Sequence, residues 1–69
     1  MEELKLRTPY ITLGQLLKAM GYVEDGVEAK LVINQGLVKI NNETDLRRGR
    51  KCYPGDVVEY GGKAVKVVS

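Results

Sequence analysis

A chain of 69 residues and 7.7 kDa has length for one small domain and not two, with an expected radius of gyration of roughly 11 Å. No His and a single Cys exclude a four-ligand zinc cage, an internal disulfide and any His-based catalytic dyad or triad. The net charge of +2 hides a split: Ala29 to Gly55 holds six cations against two acids, while the remainder is net acidic, which points toward a polyanionic partner.

Leu4-Lys5-Leu6 alternates and reads as an edge strand. Thr12-Leu13-Gly14-Gln15 then fits a capping box, in which the Thr hydroxyl takes an orphan amide and Gln15 reaches back to the cap. Leu13, Leu16, Leu17 and Met20 follow at helical spacing, and Gly21 ends the helix. A second helix starts at Asp25, with Glu28 three residues on, and carries Ala29, Val32 and Ile33 as its apolar stripe up to Gly36. Lys30 and Asn34, four apart, share a face off that stripe.

From Leu37 the period becomes two. Leu37–Ile40 reads as a strand followed by an Asn41-Asn42 turn. Leu46 to Lys51 is too basic and Gly-interrupted for a core strand, and Pro54-Gly55 marks a tight turn. Asp56–Tyr60 and Lys63–Val68 form two more strands joined by Gly61-Gly62 as a hairpin. The expected order is β-α-α-β-β-β: an α+β fold with two short helices packed on a small, mostly antiparallel sheet. Phe and Trp are absent, so the core falls to Leu, Ile, Val, Met and four Tyr; the tyrosines are assigned to the core rather than to base stacking.

The sharpest feature is Arg47-Arg48-Gly49-Arg50-Lys51, four cations in five positions. Their mutual repulsion is relieved by a phosphate backbone, and the Arg forks match phosphate oxygens. Lys30 and Lys39 extend the same charge, with Asn34 and Asn41 beside them as hydrogen-bonding groups. Cys52 follows the cations, yet its strand setting favours packing over reactivity. The carboxylates Glu24, Asp25 and Glu28 suit a helix start and form no paired acid or metal pattern. No nucleophile–base pair and no Gly-rich phosphate loop is present, so an enzyme is not expected, nor a metal or cofactor.

The assembled pattern resembles the S4 RNA-binding domain with its alpha-L motif. The likeness runs from Ile11 to about Tyr60 within a single domain of residues 1–69. It rests on the leucine-rich first helix, on Glu28-Ala29-Lys30, on Gly36-Leu37-Val38-Lys39-Ile40-Asn41 and on Gly55-Asp56-Val57-Val58. The basic run with Gly55–Glu59 is similar to small stand-alone bacterial members, sometimes called YaaA-like. The resemblance implies contacts with structured RNA, such as ribosomal or transfer RNA, at Lys30, Lys39, Asn41, Arg47, Arg48, Arg50 and Lys51, and Asn34 joins them as a candidate from its place beside Lys30. It also implies a link to the ribosome or its assembly intermediates. A monomer in the cytoplasm is expected: nothing approaches a membrane span, and Met1 to Lys5 lacks the features of a signal peptide. Two other readings stay open: a DNA-binding helix-turn-helix with the basic segment as its wing, and a protein-interaction adaptor on a ribonucleoprotein.

Overall fold

The computed structural model describes residues 1–69 and orders them as β1 (Glu2–Lys5), β2 (Ile11–Thr12), α1 (Leu13–Ala19), α2 (Gly26–Asn34), β3 (Lys39–Ile40), β4 (Glu43–Thr44), β5 (Lys51–Cys52), β6 (Val57–Tyr60) and β7 (Lys63–Val68). Both helices stop where the sequence supplies glycine. Gly21 and Gly36 take φ of 72° and 76°, a region costly for residues with a Cβ. At each stop two amides fold back: Gly21 and Tyr22 donate to the carbonyls of Lys18 and Leu17, and Gly36 and Leu37 to those of Ile33 and Val32. These are paired Schellman turns. The second one explains why the strand expected over Leu37–Ile40 shrinks to Lys39–Ile40: the Leu37 amide is already held by the helix end.

The helix starts differ. Asp25 caps α2 by accepting from the Glu28 amide at 2.8 Å, and Glu28 Oε1 accepts from the Glu24 amide at 2.7 Å. Thr12 is the N-cap of α1, and its amide donates to Gln15 Oε1 at 3.4 Å. The next two amides, Leu13 and Gly14, donate to the Arg50 and Arg48 carbonyls at 2.8 and 3.0 Å. The basic segment therefore supplies part of the cap of α1, and the two are locked together.

One five-stranded sheet runs β1-β7-β6-β3-β4, antiparallel except for the parallel β1/β7 pair at its edge. Leu13, Leu16 and Leu17 of α1 and Ala29, Val32 and Ile33 of α2 close a core with Val38, Ile40, Val58, Val65 and Val67. Burying an aliphatic side chain of this size contributes about 1.5–3 kcal/mol, the main force holding the layers together. The Cα radius of gyration is 10.5 Å. A separate antiparallel ribbon pairs β2 with β5, placing Ile11 opposite Cys52 and Thr12 opposite Lys51. Three two-residue strands, β2, β4 and β5, add to the expected order; ladders so short carry no readable period.

Candidate nucleic-acid interface

Asp45 organises the basic segment. Its Oδ1 accepts from the Arg47 amide at 2.9 Å and from Arg47 Nε at 3.1 Å, and its Oδ2 accepts from Arg47 Nη2 at 2.9 Å. Arg50 crosses behind, with Nε 3.4 Å from Asp45 Oδ2 and Nη1 3.5 Å from Asp56 Oδ2. Asp56 in turn accepts from the Tyr53 amide at 2.8 Å and from Asn41 Nδ2 at 3.0 Å. The hydrogen-bonded Arg47 side chain holds the Asp45 carboxyl below its ordinary value, against the opposing effect of burial. Burial pushes the Asp56 carboxyl up, but the Tyr53 amide, Asn41 and Arg50 together leave it lowered.

The four clustered cations thus fall into two kinds. Arg47 and Arg50 have carboxylate partners, whereas Arg48 and Lys51 have none within 4 Å. The Arg48 stem lies across Gly14, so close that a Cβ on Gly14 would stand 2.7 Å from Arg48 Cγ. Arg48, Gly49, Gly14, Gln15, Lys18 and the first residue of α2, Gly26, line a cleft of about 210 Å³ that Thr12 completes. Lys30 and Asn34 continue from Gly26 at four-residue steps, so they prolong that edge of the cleft along the exposed face of α2. Lys18, one turn after Gly14, is a cation that reading the sequence passes over; its spacing from Gly14 was the available signal.

Two predicted residues lie elsewhere. Lys39 alternates with the buried Ile40 and stands on the sheet face away from the helices, opposite Glu59 and Thr44. Asn41 adopts φ 52° and uses both ends of its amide internally, donating to Asp56 and accepting from the Val57 amide at 2.9 Å. The structure therefore puts Arg48 in the cleft and Lys30 and Asn34 along the exposed face of α2. It leaves Arg47 exposed on Asp45 and Lys51 on the β2/β5 ribbon opposite Thr12, turns Arg50 and Asn41 into bracing, and separates Lys39 from the rest.

Two of the four tyrosines depart from their core assignment. Tyr22 and Tyr60 pack against the core, but Tyr10 and Tyr53 are 38% and 48% exposed, because the β2/β5 ribbon turns only Ile11 and Cys52 inward. Cys52 is buried, and burial pushes its thiol up against the pull of Arg50, in keeping with a packing role.

A family model described as S4 domain matches residues 4–68. The chain is 46% identical over 59 residues to a Bacillus subtilis protein named "Probable ribosome maturation protein RlbA", covering 86% of this chain and 83% of that one. It is 36% identical over 61 residues to YbcJ of Escherichia coli, a protein named for RNA binding, covering 88% and 87%. The solution structure of YbcJ, described as revealing an alpha-L motif involved in RNA-binding, superposes with a TM-score of 0.75 at 34% identity, over 100% of this chain and 89% of the other. With the helix pair, the sheet and nearly the full length all matched, the chain belongs to the S4 domain family.

Proposed function

We propose that this chain is a non-enzymatic binder of structured RNA, acting as a single monomeric module of residues 1–69 in the cytoplasm, with ribosomal RNA or an assembling ribosome as its leading target. The observation that carries the reading is the cleft between α1, α2 and the basic segment. There Arg48, free of acidic partners, lines the wall with Lys18, while Lys30 lies one turn along α2 from Gly26 and Lys51 pairs with Thr12 on the neighbouring ribbon. The names of the relatives support the RNA class and, through the Bacillus subtilis protein, the ribosomal direction.

Mechanistically, the cations neutralise phosphates along an A-form backbone and release their counterions. Preference comes from backbone shape, because a fixed set of cations on a small rigid domain matches only some phosphate spacings. Asp45 keeps Arg47 and Arg50 in one arrangement, so little side-chain entropy remains to be lost at Arg47 on binding. Arg47 still presents 72% of its side chain to solvent and is a further phosphate ligand. Asn34 reaches 2′-hydroxyls or base edges at the margin of the contact. Lys39, on the far sheet face, contacts RNA only where the RNA wraps around the β3/β4 end. Asn41 and Arg50 act through the turn and loop they brace.

The test is a comparison of affinities for an RNA hairpin and a DNA duplex of the same stem sequence at fixed salt. Tighter binding to the RNA supports the proposal, and equal affinities favour the helix-turn-helix reading. Partners recovered from cell extract should be lost on RNase treatment; partners that survive it favour the adaptor reading.

A further inference from the structure

The β2/β5 ribbon has two faces, and only the inner one belongs to the core. Ile11 and Cys52 point inward, so by strand alternation Thr12 and Lys51 share the outer face with the flanking Tyr10 and Tyr53. Continuing the register one step past the ladder places Tyr10 opposite Tyr53. Their ring centroids are 5.9 Å apart with planes inclined at 51°, and Lys51 Nζ stands 4.9 Å from the Tyr10 centroid. The backbone at both tyrosines is anchored. The Tyr53 amide donates to Asp56, whose own amide donates back to the Tyr53 carbonyl at 3.0 Å. The Tyr10 carbonyl accepts from Thr8 Oγ1 at 2.8 Å. Thr12 on the same outer face also borders the cleft of Arg48 and Lys18, so the aromatic pair and the cationic cleft form one continuous strip.

We propose that Tyr10 and Tyr53 form a stacking platform for an unpaired base at the end or bulge of the bound RNA helix, with Lys51 on the phosphate next to it. This rests on the RNA-binding reading above and adds the class of RNA: a helix with an unstacked nucleotide beside it. Tyr53, 48% exposed, and the part of Tyr10 not covered by Lys51 leave aromatic surface in water. An unstacked base covers it without any need for sequence-specific hydrogen bonds once Lys51 swings to the adjoining phosphate. The neighbouring ammonium selects an anionic polymer carrying such bases over an uncharged aromatic ligand.

The experiment measures affinities of two RNA hairpins that differ only in an added unpaired adenosine at the stem end, using the wild-type chain, Tyr10→Ala/Tyr53→Ala and Tyr10→Phe/Tyr53→Phe. The wild type should prefer the overhang hairpin by roughly tenfold; the Ala pair should lose that preference, and the Phe pair should keep it. Should the Ala pair fail to fold, ring-proton shifts of the wild type decide: the Tyr10 and Tyr53 signals must move on adding the overhang hairpin and stay in place with the blunt one. Equal affinities for the two hairpins, or a preference that survives in a folded Ala pair, overturn the platform and leave the RNA reading standing. Failure of the wild type to bind either hairpin overturns both.

Discussion

Arg48 lies over Gly14 with no room for a side chain between them: the position of a Cβ on Gly14 is 2.7 Å from Arg48 Cγ and 3.3 Å from its Cδ. The Gly14 amide donates to the Arg48 carbonyl at 3.0 Å, so this contact joins the helix start and the basic segment in backbone as well as side chain. The absence of a side chain at Gly14 is what lets the Arg48 stem lie across the start of α1 at the cleft.

Gly14→Ala should therefore separate binding from folding. Alanine favours the helix by up to about 1 kcal/mol, which offsets the cost of moving a flexible Arg stem. Stability should stay near that of the wild type while RNA affinity falls severalfold, because Arg48 leaves its seat. A chemical melt and a binding titration on the same sample check this, and unchanged affinity would show that the Arg48 position does not matter.

Arg48 and Arg50 should behave oppositely on replacement by Gln. The Arg50 side chain is 26% exposed between Asp45 and Asp56, which are 13% and 19% exposed. Arg50→Gln leaves two poorly solvated carboxylates without that partner and should cost about 1–3 kcal/mol. Arg48→Gln removes no ion pair and should leave the melting temperature close to wild type while weakening RNA binding. Urea midpoints for the two variants decide the assignment of one residue to bracing and the other to contact.

The same carboxylates predict the acid limb of stability. Asp45 and Asp56 titrate in the folded chain below the ordinary carboxylate value of 3.8. As pH falls the unfolded chain takes up those protons first, so their contribution is complete above about pH 4 and is lost as pH drops through the lower folded-state values. Asp45→Asn should flatten this limb relative to wild type in urea melts taken between neutral and acidic pH.

Tyr22 gives an alkaline signature. Burial, and then the hydrogen bond it donates to Glu2 Oε1 at 2.6 Å, raise its phenol from 10.0 to about 12. The unfolded chain loses this proton first as pH rises, so stability declines between those values. Phenolate absorbance should show one tyrosine titrating late, and Tyr22→Phe should abolish that step.

Most of the frame was legible in the sequence, because helix punctuation is local. Asp25, Gly21 and Gly36 act through bonds to residues a few positions away, and Asn41-Asn42 and Gly61-Gly62 set their turns within the chain segment that makes them. Alternation with Ile40 showed that Lys39 points away from the core, but not that this face lies apart from Lys30 and the basic run, which depends on how the sheet and helices pack. The division of the basic run was not, because it depends on where Asp56 lands relative to Arg50. The exposure of Tyr10 and Tyr53 was hidden for a similar reason. It follows from the pairing of β2 with β5, two-residue strands brought together across both helices.

The central claim is that RNA phosphates bind the unpaired cations Arg48, Lys51, Lys18 and Lys30. The most direct measurement is the salt dependence of affinity for a structured RNA hairpin, taken with the wild type and with Arg48→Gln/Lys51→Gln. With about four phosphates neutralised, the wild-type slope of log affinity against log salt should be roughly −3, and the folded double variant should bind more weakly with a slope smaller by nearly two. A flat wild-type profile, or a folded variant with wild-type affinity and slope, would contradict the account.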